Sequence, residues 1–274
     1  MSNIVTRTLS GAVFVAVLLG CIWAGAVYAA IMMVVVLMFA MLEFYNIIIK
    51  ERVRAEKFIG ILIGAMLFMG GFFYAQGGII YSRALFLSLI PLTVLLFISQ
   101  LYSPEKNTFR AITYTITGVV YIAVPFTLMS GLMFVGPAGK YSPQLLLGFF
   151  ILLWANDTFA YLTGITFGRH RLFERISPKK SWEGFVGGLV CTVALSFLIA
   201  GRLPIISRNH WMAVAGIIVI FGVFGDLIES LLKRNLKIKH SGRFLPGHGG
   251  ILDRFDSVLI AAPMVFFYIK MVLQ

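Results

Sequence analysis

The chain has 274 residues, of which 59% are hydrophobic and 12% charged, with a mean hydropathy of +0.93. Soluble globular proteins run nearer half apolar and a quarter charged, so an ordinary water-soluble enzyme, a disordered chain and a solvated nucleic-acid-binding domain are excluded. The charges are lopsided, 23 Lys and Arg against 11 Asp and Glu for a formal net charge of +12, which points to an anionic surface or ligand as partner. Cys21 and Cys191 lie in apolar runs and read as small buried hydrophobes, not as a disulfide framework.

Apolar stretches fall at about 9–25, 27–49, 58–75, 84–101, 111–136, 143–166, 184–201, 211–232 and 256–273, each close to the ~20 residues that one bilayer crossing needs. The expected fold is an all-α integral membrane protein of about nine transmembrane helices with a polar site at the cytoplasmic face. Residues 1–140 supply about five of these helices and 141–274 the other four or so, the latter as the catalytic region, with no separate soluble domain. The block 9–49 is twice the length of one span and reads as a hairpin. Arg7 ahead of an apolar stretch imitates a signal peptide, but no small-residue cleavage site stands out, so a retained first helix is expected. Eighteen of the 23 basic residues fall in loops on one side of this arrangement. Basic loops stay inside, so the N-terminus is expected to be cytoplasmic and the C-terminus outside, in a cell (inner) membrane.

Acids inside apolar runs cost roughly 2.5–3.5 kcal/mol each on insertion scales and are functional by default. Glu43 lies near the end of its helix and reads as an interfacial or helix-packing carboxylate. Asp157 lies within the sixth span, with Tyr161 and Gly164 on the same face. It is followed by a loop, Ser177 to Gly184, in which adjacent Lys179 and Lys180 with two hydroxyls suit a polyphosphate, or serve only as a positive-inside loop anchored by Trp182. In GDLIESLLKR, Asp226, Glu229, Ser230 and Lys233 share one helix face by i, i+3, i+4, i+7 spacing. A Glu229–Lys233 pair at i+4 accounts for Glu229 but leaves Asp226 over, and a hard cation fits both carboxylates. Pro246-Gly247-His248-Gly249-Gly250 is a tight, backbone-exposed turn whose N–H groups suit phosphate oxygens. Asp253 and Asp256 follow at the start of the last helix with Arg254 between them. These acids and bases point to a metal-bound polyphosphate meeting a substrate delivered by the bilayer.

The stretch from Ser230 through Lys233-Arg234 and Lys239 to PGHGGILDRFD resembles the signature of the CDP-diacylglycerol synthase (phosphatidate cytidylyltransferase) family. GDLIES, ISPKKSWEG and DTFAY look like that family's other landmarks in the same order, and together they cover about 157–257. Two departures stand out: His240 where the family usually has Asp, and Ile165 where members often carry a base. The resemblance implies Mg2+-dependent conversion of CTP and phosphatidate to CDP-diacylglycerol and pyrophosphate, with Asp226 and Asp253 as metal ligands. Asp256 and Glu229 are added as candidates for further contacts or a second cation. Lys179, Lys180, Lys233, Arg234, Lys239 and Arg254 divide between the triphosphate and the lipid headgroup, joined by Ser177, Ser230, Gly249 and Gly250, and His248 orients a phosphate or the loop. The expected partners are CTP, phosphatidate and the bilayer, not nucleic acid. Gly184, Gly187 and Gly188 permit close helix packing within a chain or in a homodimer. The alternatives are a CTP-dependent lipid or polyprenol kinase, which releases CDP instead of pyrophosphate, then an ion-coupled transporter and a silent scaffold.

Overall fold

Gly25 divides the first apolar block. Its φ of 139° belongs to glycine alone, and it separates α1 (Ser2–Ala24) from α2 (Ala26–Ile48) as the hairpin reading requires. The computed structural model describes residues 2–49, 53–103, 107–136, 139–238, 242 and 249–273, excepting the side chains of 2–9 and 273. Lys239, His240 and His248 therefore lie outside the described residues, as do Lys50, Arg52, Lys106 and Arg243.

Beyond α2 the chain runs through α3 (Lys57–Ala75), α4 (Ile79–Leu101), α5 (Thr108–Gly118), α6 (Val124–Gly131), α7 (Gln144–Phe167), α8 (Trp182–Arg202), α9 (Arg208–Asn235) and α10 (Leu252–Leu273). A π-turn at Val119–Ala123 joins α5 to α6, and a 3-10 turn at Leu132–Phe134 extends them into one apolar rod, Thr108–Phe134. Pro125 lacks an N–H and its ring disfavours the i−4 carbonyl, and the widened π-turn directly before it absorbs that misfit. Eight helices among the described residues are long and apolar enough to cross a membrane, while the Ser10–Ala24 part of α1 is shorter. The protein is an all-α, multi-pass membrane protein, as expected.

The expected loop 177–184 is not irregular. Arg171–Phe173 (β1) pairs antiparallel with Ser177–Ser181 (β2), Arg171 opposite Ser181 and Phe173 opposite Ser177. Its strands are too short and too polar to show a two-residue apolar period. Glu183 clasps the hairpin, accepting from the backbone N–H groups of Arg169 (3.0 Å) and His170 (3.2 Å) and pairing with the His170 ring at 2.6 Å. Ser181 then caps α8 by accepting from Gly184 N at 3.1 Å, which satisfies one orphan donor of the first turn.

The small-residue seam packs inside the chain. A Cβ on Gly184 would lie 2.8 Å from the Ala160 carbonyl oxygen, and one on Gly188 2.8 Å from Asn156 Oδ1, so α8 lies directly on α7. This seam is spent within one copy. Helices α8, α9 and α10 pack in sequence onto one another. The apolar core runs through both halves, from Leu18 and Phe44 to Phe150 and Phe255.

Candidate active site

The ends of α7 and α9, the hairpin and the first turn of α10 meet at one end of the bundle. The approach of α9 to α10 is set by Gly225, where a Cβ would lie 2.8 Å from Ser257 Cα. Any larger residue there drives the helices apart, and the carboxylates of the next residue, Asp226, and of Asp256 are the groups this contact brings together. Asp226, Glu229 and Asp256 each offer a carboxylate oxygen within 4.8 Å of the others. Oxygen ligands at this spacing suit a hard divalent cation.

Two lysines partner this cluster. Lys180 of β2 pairs with Asp226 Oδ2, and Ser230 Oγ donates to Asp226 Oδ1 at 3.2 Å. Lys233 pairs with Glu229 one turn back on its own helix and with Asp253 Oδ1 on α10 at 2.9 Å. Glu229 is fully buried, and beyond that ion pair its oxygens have no hydrogen-bond donor among the described residues. A buried carboxylate with spare acceptor capacity fits a cation ligand. Asp253 Oδ2 also accepts from Gly250 N at 3.3 Å, tying Gly250 to α10. Gly249 has a φ of 84°, a left-handed conformation that favours glycine; the rest of the expected turn, Pro246 to His248, lies outside the described residues.

Most of the residues singled out from sequence converge here. Asp226, Glu229, Ser230, Lys233, Asp253, Asp256, Lys180, Gly249 and Gly250 gather as described. Asp157, on α7, is exposed at the rim and within the electrostatic field of Lys180 and Asp226. The adjacent lysines separate: neighbours on a strand point to opposite faces, so Lys180 turns to Asp226 while Lys179 is exposed, as are Arg234 and Arg254. Ser177 is half-buried opposite Phe173 in the hairpin.

Sequence reasoning missed Tyr121. Its ring lies on the π-turn against Phe44, and its buried hydroxyl, without a hydrogen-bond partner among the described residues, lies in the field of Glu229, Asp256 and Asp226. An aromatic in an apolar run gives no signal of this; the π-turn is what aims it. Tyr121 also lines a cleft of about 590 Å³ between the α5–α6 rod and α10, walled by Thr113, Ile116, Val120, Leu259, Ile260 and Pro263 among others. Glu43, from α2, accepts a 2.9 Å hydrogen bond from the backbone N–H of Leu252, a contact between residues 209 positions apart that no local pattern announces.

Fold and site together define a multi-pass membrane protein with a cluster of acids and lysines at one end of its C-terminal helices. The chain belongs to the cytidylyltransferase family, whose profile matches residues 5–272. It is 36% identical over 180 residues to the phosphatidate cytidylyltransferase of Staphylococcus haemolyticus (strain JCSC1435) and equally similar to that of Staphylococcus aureus (strain COL). The phosphatidate cytidylyltransferase of Staphylococcus saprophyticus subsp. saprophyticus is 34% identical over 179 residues. Each alignment covers 65% of this chain and 66% of the relative, just under two thirds of that protein's length.

Proposed function

We propose that the protein is a phosphatidate cytidylyltransferase that makes CDP-diacylglycerol and pyrophosphate from CTP and phosphatidate. The observation that carries this reading is the meeting of Asp226, Glu229 and Asp256 with Lys180 and Lys233 at one end of the helices that also border an apolar cleft. The relatives' printed name agrees with it. An oxygen of the phosphatidate phosphate attacks the α-phosphorus of CTP. The bond from that phosphorus to the bridging oxygen breaks, and its electron pair leaves with pyrophosphate. A phosphate monoester is largely ionised near neutral pH, so no side chain has to remove a proton.

Asp226 and Asp253 are the residues that would hold Mg2+ by the family resemblance, and Glu229 and Asp256, whose carboxylate oxygens lie within 4.8 Å of that of Asp226, would add to that site or hold a second cation. Bound there, Mg2+ supplies charge neutralisation for the triphosphate. Lys180 and Lys233 each carry three donors, so Lys180 can keep Asp226, and Lys233 both Glu229 and Asp253, and still hold a phosphate oxygen. Lys179, Arg234 and Arg254 meet the substrate phosphates from the rim, and by the family resemblance Lys239 adds a phosphate contact and His248 orients a phosphate or the loop. Ser177 and Ser230, with the N–H groups at Gly249 and Gly250, give further donors. The cleft beside Tyr121 takes an acyl chain, leaving the lipid headgroup at the carboxylate end. By the excess of basic residues on its loops, this end faces the cytoplasm and the C-terminus faces outward, in a cell inner membrane.

Mass spectrometry of the lipid product tests the reading. With labelled CTP and phosphatidate, CDP-diacylglycerol is expected. A phosphorylated lipid with CDP released would instead make the protein a CTP-dependent kinase.

A further inference from the structure

Helix α10 begins inside the protein, and its first turn carries Asp253, with Asp256 just beyond it. The first N–H groups of a helix have no partner within it, and here the Leu252 N–H donates to Glu43 Oε2 of α2 at 2.9 Å. Leu252 is completely buried and Glu43 is 8% exposed, so water cannot take over this role. The same carboxylate abuts the other end of the preceding segment: a Cβ on Gly242 would lie 2.6 Å from Glu43 Cδ. One carboxylate from the N-terminal half thus touches the backbone at both 242 and 252, the two ends of the stretch that carries the glycine turn. Anionic groups are favoured at helix N-termini, and this one is carried by α2, not by the segment that leads into α10.

We propose that Glu43 is a positioning residue for the carboxylate cluster, acting through the Leu252 N–H to fix the start of α10, with Gly242 packed against the same carboxylate. The proposal rests on the reading of the cluster as the cation and phosphate site. It gives the N-terminal half a part in the site beyond membrane anchoring. The side chain touches no reacting atom. Its effect is on where Asp253 and Asp256 stand relative to Asp226.

The test compares Glu43→Ala, Glu43→Gln and Gly242→Ala in the full-length protein reconstituted in vesicles. Amide hydrogen exchange of the 249–256 backbone is the first readout, and it needs neither substrate nor metal. Exchange there is expected to rise about tenfold or more in Glu43→Ala and in Gly242→Ala. Glu43→Gln, whose amide oxygen still accepts from Leu252, is expected to stay near wild type. The second readout is the Mg2+ concentration for half-maximal pyrophosphate release, expected to rise by about 10-fold in Glu43→Ala with recovery in Glu43→Gln. If Glu43→Ala does not fold, Gly242→Ala with the Gln variant decides. Unchanged exchange at 249–256 in both Glu43→Ala and Gly242→Ala overturns the proposal, whatever the activity. If exchange rises but wild-type protein releases no pyrophosphate, the positioning contact stands and the transferase reading fails.

Discussion

Lys233 of α9 reaches across to Asp253 in the first turn of α10, its ammonium 2.9 Å from Oδ1, while pairing with the buried Glu229 on its own helix. One cation thus neutralises two carboxylates from two elements and joins α9 to α10, which Gly225 also brings together by packing against Asp256 and Ser257.

Removing that ammonium leaves Glu229 buried without its counter-charge. Lys233→Met is therefore expected to cost about 3–5 kcal/mol of stability, read as a fall in thermal unfolding temperature. Lys233→Met combined with Glu229→Gln should recover much of that stability without recovering activity. Recovery of both would reduce Lys233 to a structural ion pair.

The two adjacent lysines have different surroundings, so their substitutions should differ. Lys180→Ala removes the partner of Asp226 and is expected to lower pyrophosphate release by about 100-fold or more, the scale of losing one well-placed charge donor. Lys179→Ala, on the opposite face of β2, is expected to lower it less than about 10-fold and chiefly through KM for CTP. Steady-state kinetics of the two variants side by side checks this, and equal losses would show that the strand alternation does not govern the site.

Gly225→Ala forces α9 away from α10. Overpacking of this kind costs about 1–3 kcal/mol, but the larger effect should be on function, since the Asp226–Asp256 spacing widens with the helices. The expected outcome is a folded protein with a strongly raised Mg2+ requirement. Gly216→Ala, where a Cβ meets nothing within 4 Å, is the control and should behave as wild type in the same Mg2+ titration.

The cleft beside Tyr121 predicts a lipid-specific defect. Val120→Trp or Ile260→Trp fills it and should raise KM for phosphatidate while leaving KM for CTP unchanged. A change confined to CTP would move the acyl chain elsewhere.

The local part of this site was legible in the sequence. Spacing alone predicts the shared face of Asp226, Glu229, Ser230 and Lys233, and the structure adds the Glu229–Lys233 pair that i, i+4 geometry allows. Gly249 adopts the backbone that a glycine turn implies, and the spans follow from apolar length. What sequence could not supply are the pairings between distant elements: Lys180 with Asp226, Lys233 with Asp253, and Glu43 with Leu252. Each depends on helix–helix approach set by residues such as Gly225, not on any local period. The hairpin escaped for a related reason, since its order comes from Glu183 clasping the backbone at 169 and 170, not from an apolar face.

The most direct test of the central claim is pyrophosphate release from CTP by purified wild type and Asp226→Asn, with and without phosphatidate and Mg2+. Release is expected only from wild type with both present, with a loss of about 100-fold or more in the variant and its thermal unfolding preserved. Release that needs neither phosphatidate nor Mg2+, or an Asp226→Asn enzyme with near wild-type turnover, would contradict it.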